Sequence, residues 1–263
     1  QNAMLEYERT SQCRMLFLAQ QLDDASATAC GRCDVCAGPW YPVDVPSEAQ
    51  QAAQSSFNTV GVPLQPRRMW PSGLDHLMGA DAPRGRLSKD EQAESGYALA
   101  RLSDMGYGTR LRELLATNEL GDPVDSEVPA ELGRACVKVL AAWEWSEAGR
   151  PVAVLTLPSP VRPRLAQSLG RGLASVGRLV DLGQVSLAGE PRFFGGNSAF
   201  RCADVLRSYR VPAAVLDYVR EHRCPILLVS DVVDSRWAFT VVARELRLAG
   251  ASAVYPFSLA ATH

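Results

Sequence analysis

No stretch of the 263-residue chain approaches the roughly eighteen consecutive apolar residues of a membrane-spanning helix, so none is expected. There is no G-x-x-x-x-G-K-[ST] phosphate loop and no acidic box after a strand, so ATP hydrolysis is not expected of this chain. A secretory leader pattern is also missing, which points to a reducing compartment. The chain is therefore expected to be soluble and cytoplasmic. Gln1-Asn2-Ala3, ahead of Met4, reads as the remnant of an expression tag, and a fragment of a longer protein is expected. Lysine is absent from residues 150–263, where arginine takes its place throughout. Arginine forks suit phosphate better than the lysine point charge does.

Several features are present in strength. Hydrophobic residues make up 47% of the chain, enough for substantial cores, and the length suggests two or three domains. The net charge of −2 is divided unevenly. Residues 1–149 hold 13 basic and 21 acidic side chains, and residues 150–263 hold 14 and 8. A basic second half is compatible with nucleic acid or a phosphorylated ligand, and equally with a solvated surface.

Of seven cysteines, four form a pattern: Cys13, then Cys30, Cys33 and Cys36 in C-x-x-C-x-x-C. Thiolates at this spacing can face one metal across a tight turn, and Gly31 permits the backbone twist. One distant cysteine plus a close trio supplies the four thiolates of a closed, structural zinc site. Two competing readings remain, a pair of disulfides and an iron–sulfur cluster. Cys136, Cys202 and Cys224 stand among apolar neighbours and are expected to be small buried hydrophobes.

Residues 4–40 resemble the zinc-binding subdomain of RecQ-family DNA helicases. The matching residues are Met4, Tyr7, Cys13-Arg14 and Cys30-Gly31-x-Cys33-Asp34-x-Cys36. The resemblance implies a helical platform that follows two ATPase lobes, packs against them and contributes to DNA binding. Arg14 is a candidate DNA contact. Residues 11–22 fit such a helix, and Met15, Leu16 and Leu18 are expected in its core. A winged-helix domain would come next in that family.

The segment 38–46, GPWYPVDVP, reads as a linker, and residues 47–58 as a helix opened by Ser47. The prolines of residues 60–71 exclude helix and favour an edge strand or ribbon. There, Arg67, Arg68 and an exposed Trp70 are candidate nucleic-acid contacts through phosphate pairing and stacking. The alternative is that Met69 and Trp70 plug a small core. Helices are expected at about 90–104 and 109–118.

From about residue 128 the pattern turns to helix, strand, loop, helix. Residues 128–145 form an amphipathic helix with Leu132, Cys136, Val139, Leu140 and Trp143 on one side. Val152–Leu157 is a buried strand that ends at Pro158-Ser159-Pro160, with a helix near 163–176. The grammar repeats with a helix at 213–221, a strand at 225–229, a loop at 230–237, a helix at 239–249 and a strand at 253–257. Such repeats mean a parallel sheet, with ligands at the carboxyl ends of its strands.

Residues 226–240, with Leu246-Arg247-x-Ala249-Gly250-Ala251 and Asn197–Arg201, resemble type I phosphoribosyltransferases of the ComF-like branch. The resemblance implies a loop that cradles a 5-phosphate and an acidic pair that binds ribose. The corresponding residues are Asp231, Ser235, Arg236 and Thr240. Ser230 replaces the first acid, Arg236 the loop glycine and Ala238 a small hydroxyl residue, and these changes argue against transferase catalysis. No catalytic residue is assigned.

The expected architecture is therefore multidomain, α+β and α/β. It comprises a small helical zinc module at 4–42, a mixed, winged-helix-like middle region at 43–124, and a parallel-sheet phosphoribosyltransferase-like domain at 125–263. The expected function is the accessory DNA-binding and structural C-terminal region of a RecQ-like 3'-5' helicase in repair or recombination. The alternative is a phosphoribosyltransferase or phosphoribosyl-ligand sensor tethered to a helicase. Expected partners are zinc, DNA at the nucleoid, the missing ATPase lobes and repair proteins, with no membrane.

Overall fold

The computed structural model describes residues 2–39, 44–57, 61–189 and 196–262. Trp40 to Val43 of the expected linker, and Val60, lie outside the described residues. The chain divides into two compact units, Gln1–Ser55 and Ser56–His263.

The first unit holds α1 (Asn2–Arg9), α2 (Arg14–Gln21), α3 (Asp34–Ala37) and most of α4 (Ser47–Phe57). No residue of α1, α2 or α3 is fully buried. Met15 and Leu18, expected in a core, are exposed, and so are Met4, Leu5 and Leu22. The helical spacing of this stripe matches α2, but four short elements leave little to bury it against.

The second unit is built on one six-stranded sheet. Its strands are β1 (Val62–Leu64), β2 (Gly96–Arg101), β3 (Ala153–Thr156), β4 (Val180–Gln184), β7 (Ile226–Val233) and β8 (Val254–Ala261). Their spatial order is β1-β2-β8-β7-β3-β4, antiparallel at β1–β2 and parallel elsewhere. A two-stranded ribbon joins β5 (Ser186–Leu187) to β6 (Tyr209–Arg210).

Parallel strands need crossovers, and helices supply them on both faces. One face carries α9 (Ser198–Ser208), α10 (Ala213–His222) and α11 (Trp237–Leu248), with α5 (Leu74–Met78) beside α9. The other carries α6 (Tyr107–Leu114), α7 (Ala130–Ala142) and α8 (Pro163–Gly177). Along β7 the side chains alternate between the two cores. Ile226 and Leu228 enter one, Leu227 and Val229 the other, all at 0% exposure. Burial on both faces explains why β7 and β3 read as continuous apolar runs.

The separate winged-helix-like middle region at 43–124 is not found. β1 and β2 are strands of the same sheet as β7 and β8, so the expected boundary at 124/125 falls inside one unit. The helix expected at 90–104 is a short 3-10 turn, Lys89–Glu91, followed by strand β2. The segment is rich in helix formers, but Ala98 and Leu99 are completely buried between two cores. Tertiary packing has overridden local propensity. Gly96 opens β2 against β8, where a Cβ would stand 2.3 Å from the Pro256 carbonyl oxygen. Pro256 is tolerated within β8 because pairing with β2 runs from Phe257 onward.

The other helices of this unit match expectation within a few residues. Cys136, Cys202 and Cys224 are buried, as their apolar neighbours implied. Among the described residues no helix is long and apolar enough to cross a membrane.

Candidate metal centre and ligand crevice

Cys13 sits at the amino end of α2, Cys33 at that of α3, and Cys36 within α3. Gly31 adopts φ +69°, the left-handed conformation the turn between Cys30 and Cys33 requires. These elements bring the four sulfurs within 4.8 Å of one another. Cys33 and Cys13 Sγ are 3.9 Å apart. A tetrahedral zinc with Zn–S bonds of about 2.3 Å has S···S edges of about 3.8 Å, so the cluster fits one ion. Disulfide sulfurs lie about 2.05 Å apart, and all seven cysteines are free thiols here.

Backbone amides point at the sulfurs. Cys30 N donates to Cys13 Sγ at 3.2 Å and Arg32 N to Cys30 Sγ at 3.5 Å. The amides of Cys30 and Leu16 draw the Cys13 thiol down to about 6. The amide of Arg14 lowers Cys33 in the same way. Cys36 is pushed up to about 12, chiefly by the neighbouring Cys33 sulfur. Four thiols at contact distance cannot all ionise without a cation between them.

The two charged residues of the motif have structural work. Arg14 Nε donates to both carboxylate oxygens of Asp34, at 2.8 and 2.9 Å. Its Nη1 reaches the carbonyls of Tyr7 and Glu8, and the guanidinium lies 5.4 Å from the Tyr7 ring centre. The guanidinium holds the Asp34 carboxyl below its ordinary range. Arg14 thus ties α1, α2 and α3 together beside the sulfurs, as outer-shell partners of metal ligands do. The expected DNA contact at Arg14 is corrected: its polar atoms are engaged within the unit.

The arrangement at 67–70 also differs from expectation. Trp70 is 7% exposed and stacks on Trp237, with ring centres 6.0 Å apart and planes 8° from parallel. It is a core residue, not an exposed stacking platform. Met69, which the alternative reading placed in the core beside it, is 62% exposed. Arg67 lies 4.1 Å from the Trp237 ring centre and donates from Nε to the Ser235 carbonyl at 2.6 Å. Arg68 alone of the three is exposed.

The sheet has one topological switch point. From β3 the chain moves outward to β4, then returns to place β7 on the other side of β3. Ligand crevices of open parallel sheets lie outside the carboxyl ends of such strands. A crevice of about 380 Å³ is found there, lined by Ser159, Arg162, Tyr209 and Asp231 and by apolar groups such as Val205 and Phe239. β7 runs through Val233, four residues beyond the expected strand, so Ser230 and Asp231 belong to it rather than to the loop. Asp231 is buried, accepting from Ser159 Oγ at 2.6 Å and Val232 N at 2.7 Å. Burial raises its pKa, partly offset by those two donors. Burial, with the Asp231 charge, also raises Tyr209.

Of the remaining residues suggested by the transferase resemblance, Ser235 and Arg236 line the crevice. Arg236 has φ +64°, the conformation glycine favours, and its guanidinium donates to the Gln65 carbonyl at 2.8 Å. The loop keeps a glycine-like backbone, and the side chain is drawn toward the β1 side. Thr240 is corrected: it is buried, donates to the Arg236 carbonyl at 2.9 Å within its own helix, and lines neither this crevice nor the cavity beside it.

No family model, curated protein or solved structure matches this chain. Function must therefore be argued from the sites themselves. Sequence reasoning missed Ser159, Arg162, Arg201 and Tyr209. The run Pro158-Ser159-Pro160 after an apolar strand was the available signal for the first two, since it marks a loop at a strand's carboxyl end. Arg162 Nε is buried with no hydrogen-bond partner among the described residues, and it lies at the crevice.

Proposed function

We propose that this chain is the accessory C-terminal region of a RecQ-like ATP-dependent DNA helicase acting in repair or recombination. Its first unit is a structural zinc module, and its α/β unit carries no transferase chemistry. The observation that carries the reading is the four-cysteine cluster, bracketed by the Arg14–Asp34 pair. The motif residues that carry the resemblance are those that hold this local structure together. All four thiolates face one centre, so the metal has no open position for chemistry. The site's role is folding, because metal binding and ordering of so small a unit are coupled.

A second feature supports attachment to a larger protein. Met15, Leu18 and Leu22 recur at helical spacing and are exposed, Leu22 at 81%. An exposed apolar stripe is suited to burial against a protein surface, here the ATPase lobes. DNA contact falls to exposed arginines such as Arg68, acting on phosphates without base specificity.

The alternative, a phosphoribosyl-ligand sensor, is favoured by the switch-point crevice. Transfer chemistry is not: Asp231 is a single buried carboxyl tied to Ser159, and its neighbour Ser230 adds no second acid.

The test is fluorescence anisotropy of labelled DNA over a salt series. Binding should weaken linearly in log–log form, and Arg68→Ala should reduce the salt slope by about one. Absence of binding at low salt would remove DNA contact from the proposal.

A further inference from the structure

Beside the crevice lies a second cavity of about 420 Å³, and its charge is unusual. Its lining includes Arg67, Arg201 and Arg236, with Asp234 as the carboxylate among the lining residues. The three arginines come from distant parts of the chain: the segment after β1, helix α9 and the turn before α11. Each is anchored by one nitrogen. Arg67 Nε is held by the Ser235 carbonyl, Arg236 Nη1 by the Gln65 carbonyl and Arg201 Nη1 by Asp234. A guanidinium has five N–H donors, so each anchored group keeps others to direct into the cavity.

Anchoring answers the usual objection to arginine sites, the entropy of fixing long side chains. Arg67 is further fixed by its face-on contact with the buried Trp237. The cost of the arrangement is mutual repulsion. Burial, and then the charges of Arg236 and Arg201, pull the Arg67 pKa below its ordinary value. Three cations sharing a concave site with one carboxylate leave an excess of two positive charges, which an anion would neutralise.

We propose that this cavity binds the phosphoryl groups of a small phosphorylated molecule, using the side chains of Arg67, Arg201 and Arg236. A diphosphate matches the charge excess and offers acceptors to three donors at once. A small molecule is favoured over a nucleic-acid strand because the arginines line a pocket rather than a ridge or open track. The site differs from the loop implied by the transferase resemblance, where backbone amides hold the phosphate. Asp234 acts as the internal counter-ion that a bound phosphate displaces from Arg201. The inference stands on this cavity alone and needs neither functional reading above.

The test uses the whole chain in phosphate-free buffer, with inorganic pyrophosphate as the probe. Calorimetry should show saturable binding at one site per chain, and sodium sulfate at matched ionic strength should bind more weakly. Arg201→Gln should weaken pyrophosphate about ten- to a hundredfold, the worth of a charged hydrogen bond. Asp234→Asn should act in the opposite direction, tightening binding up to about fivefold by removing the competing carboxylate. That reversal of sign distinguishes the proposal from general loss of structure, and it remains readable if Arg201→Gln fails to fold. Absence of saturable binding at millimolar pyrophosphate, equal binding by Arg201→Gln, or weakening by Asp234→Asn would each overturn the proposal. An unphosphorylated single-stranded 12-mer should fail to displace pyrophosphate. Displacement would assign the pocket to a nucleic-acid backbone and refute the small-molecule reading.

Discussion

Replacing Trp70 by alanine separates a structural tryptophan from a DNA-stacking one. Trp70 is 7% exposed, so nearly all of its side chain is removed from water. An aromatic side chain buries on the order of 150–250 Å². At about 25 cal/mol/Å² that is roughly 4–6 kcal/mol as an upper bound, since unfolded chains already bury some of this surface. Stacking on Trp237 adds about 1 kcal/mol. Relaxation reduces the loss, because the Trp70 segment is anchored by few backbone contacts, including Trp70 N to the Gly85 carbonyl and Leu87 N to the Arg68 carbonyl. Trp→Ala core substitutions cost about 3–5 kcal/mol, and about 3 kcal/mol is the expected loss here. Urea unfolding followed by far-UV circular dichroism should show a lower midpoint with an unchanged slope. DNA binding measured well below that midpoint should stay within twofold of the parent. Unchanged stability with binding lost would refute the reasoning and return Trp70 to the nucleic-acid surface.

Two further substitutions probe the sheet and the crevice. Gly96→Ala places a methyl 2.3 Å from the Pro256 carbonyl oxygen, where backbone must move; the β2–β8 pairing should loosen and the thermal midpoint fall by several degrees, and an unchanged midpoint would contradict the register. Asp231 has a folded pKa above its unfolded value, so the folded state holds its proton more tightly. Its contribution is therefore most favourable below about pH 4 and is lost as pH rises through the folded pKa, with a limiting slope of about 1.4 kcal/mol per pH unit. Asp231→Asn should remove that slope and be more stable than the parent at pH 8, compared by denaturant midpoints at pH 4 and pH 8.

How much was legible in the sequence depended on how far apart the deciding residues lay. The cysteine cluster was legible because its ligands and turn glycine lie within two dozen residues, and local spacing fixes their geometry. β3, β7 and helices α7, α8, α10 and α11 were legible because burial on one stripe or on both faces leaves a pattern in the chain. The role of Trp70 was not, since its partner Trp237 comes from the other end of the unit. Arg67 likewise meets Ser235 across 168 residues. β2 was hidden because Ala, Leu, Glu and Gln favour helix, while a pairing with β8 decides otherwise. The extension of β7 through Asp231 was hidden because a buried carboxylate in a strand looks, in sequence, like the start of a loop.

The central claim is that one metal organises the first unit. Inductively coupled plasma mass spectrometry of the purified chain, with the protein quantified by amino-acid analysis, tests it directly. The account predicts one zinc per chain, retained through gel filtration and lost in Cys33→Ser together with the helical signal of the first unit. A chain that carries no metal, or that carries iron with sulfide in place of zinc, would contradict it.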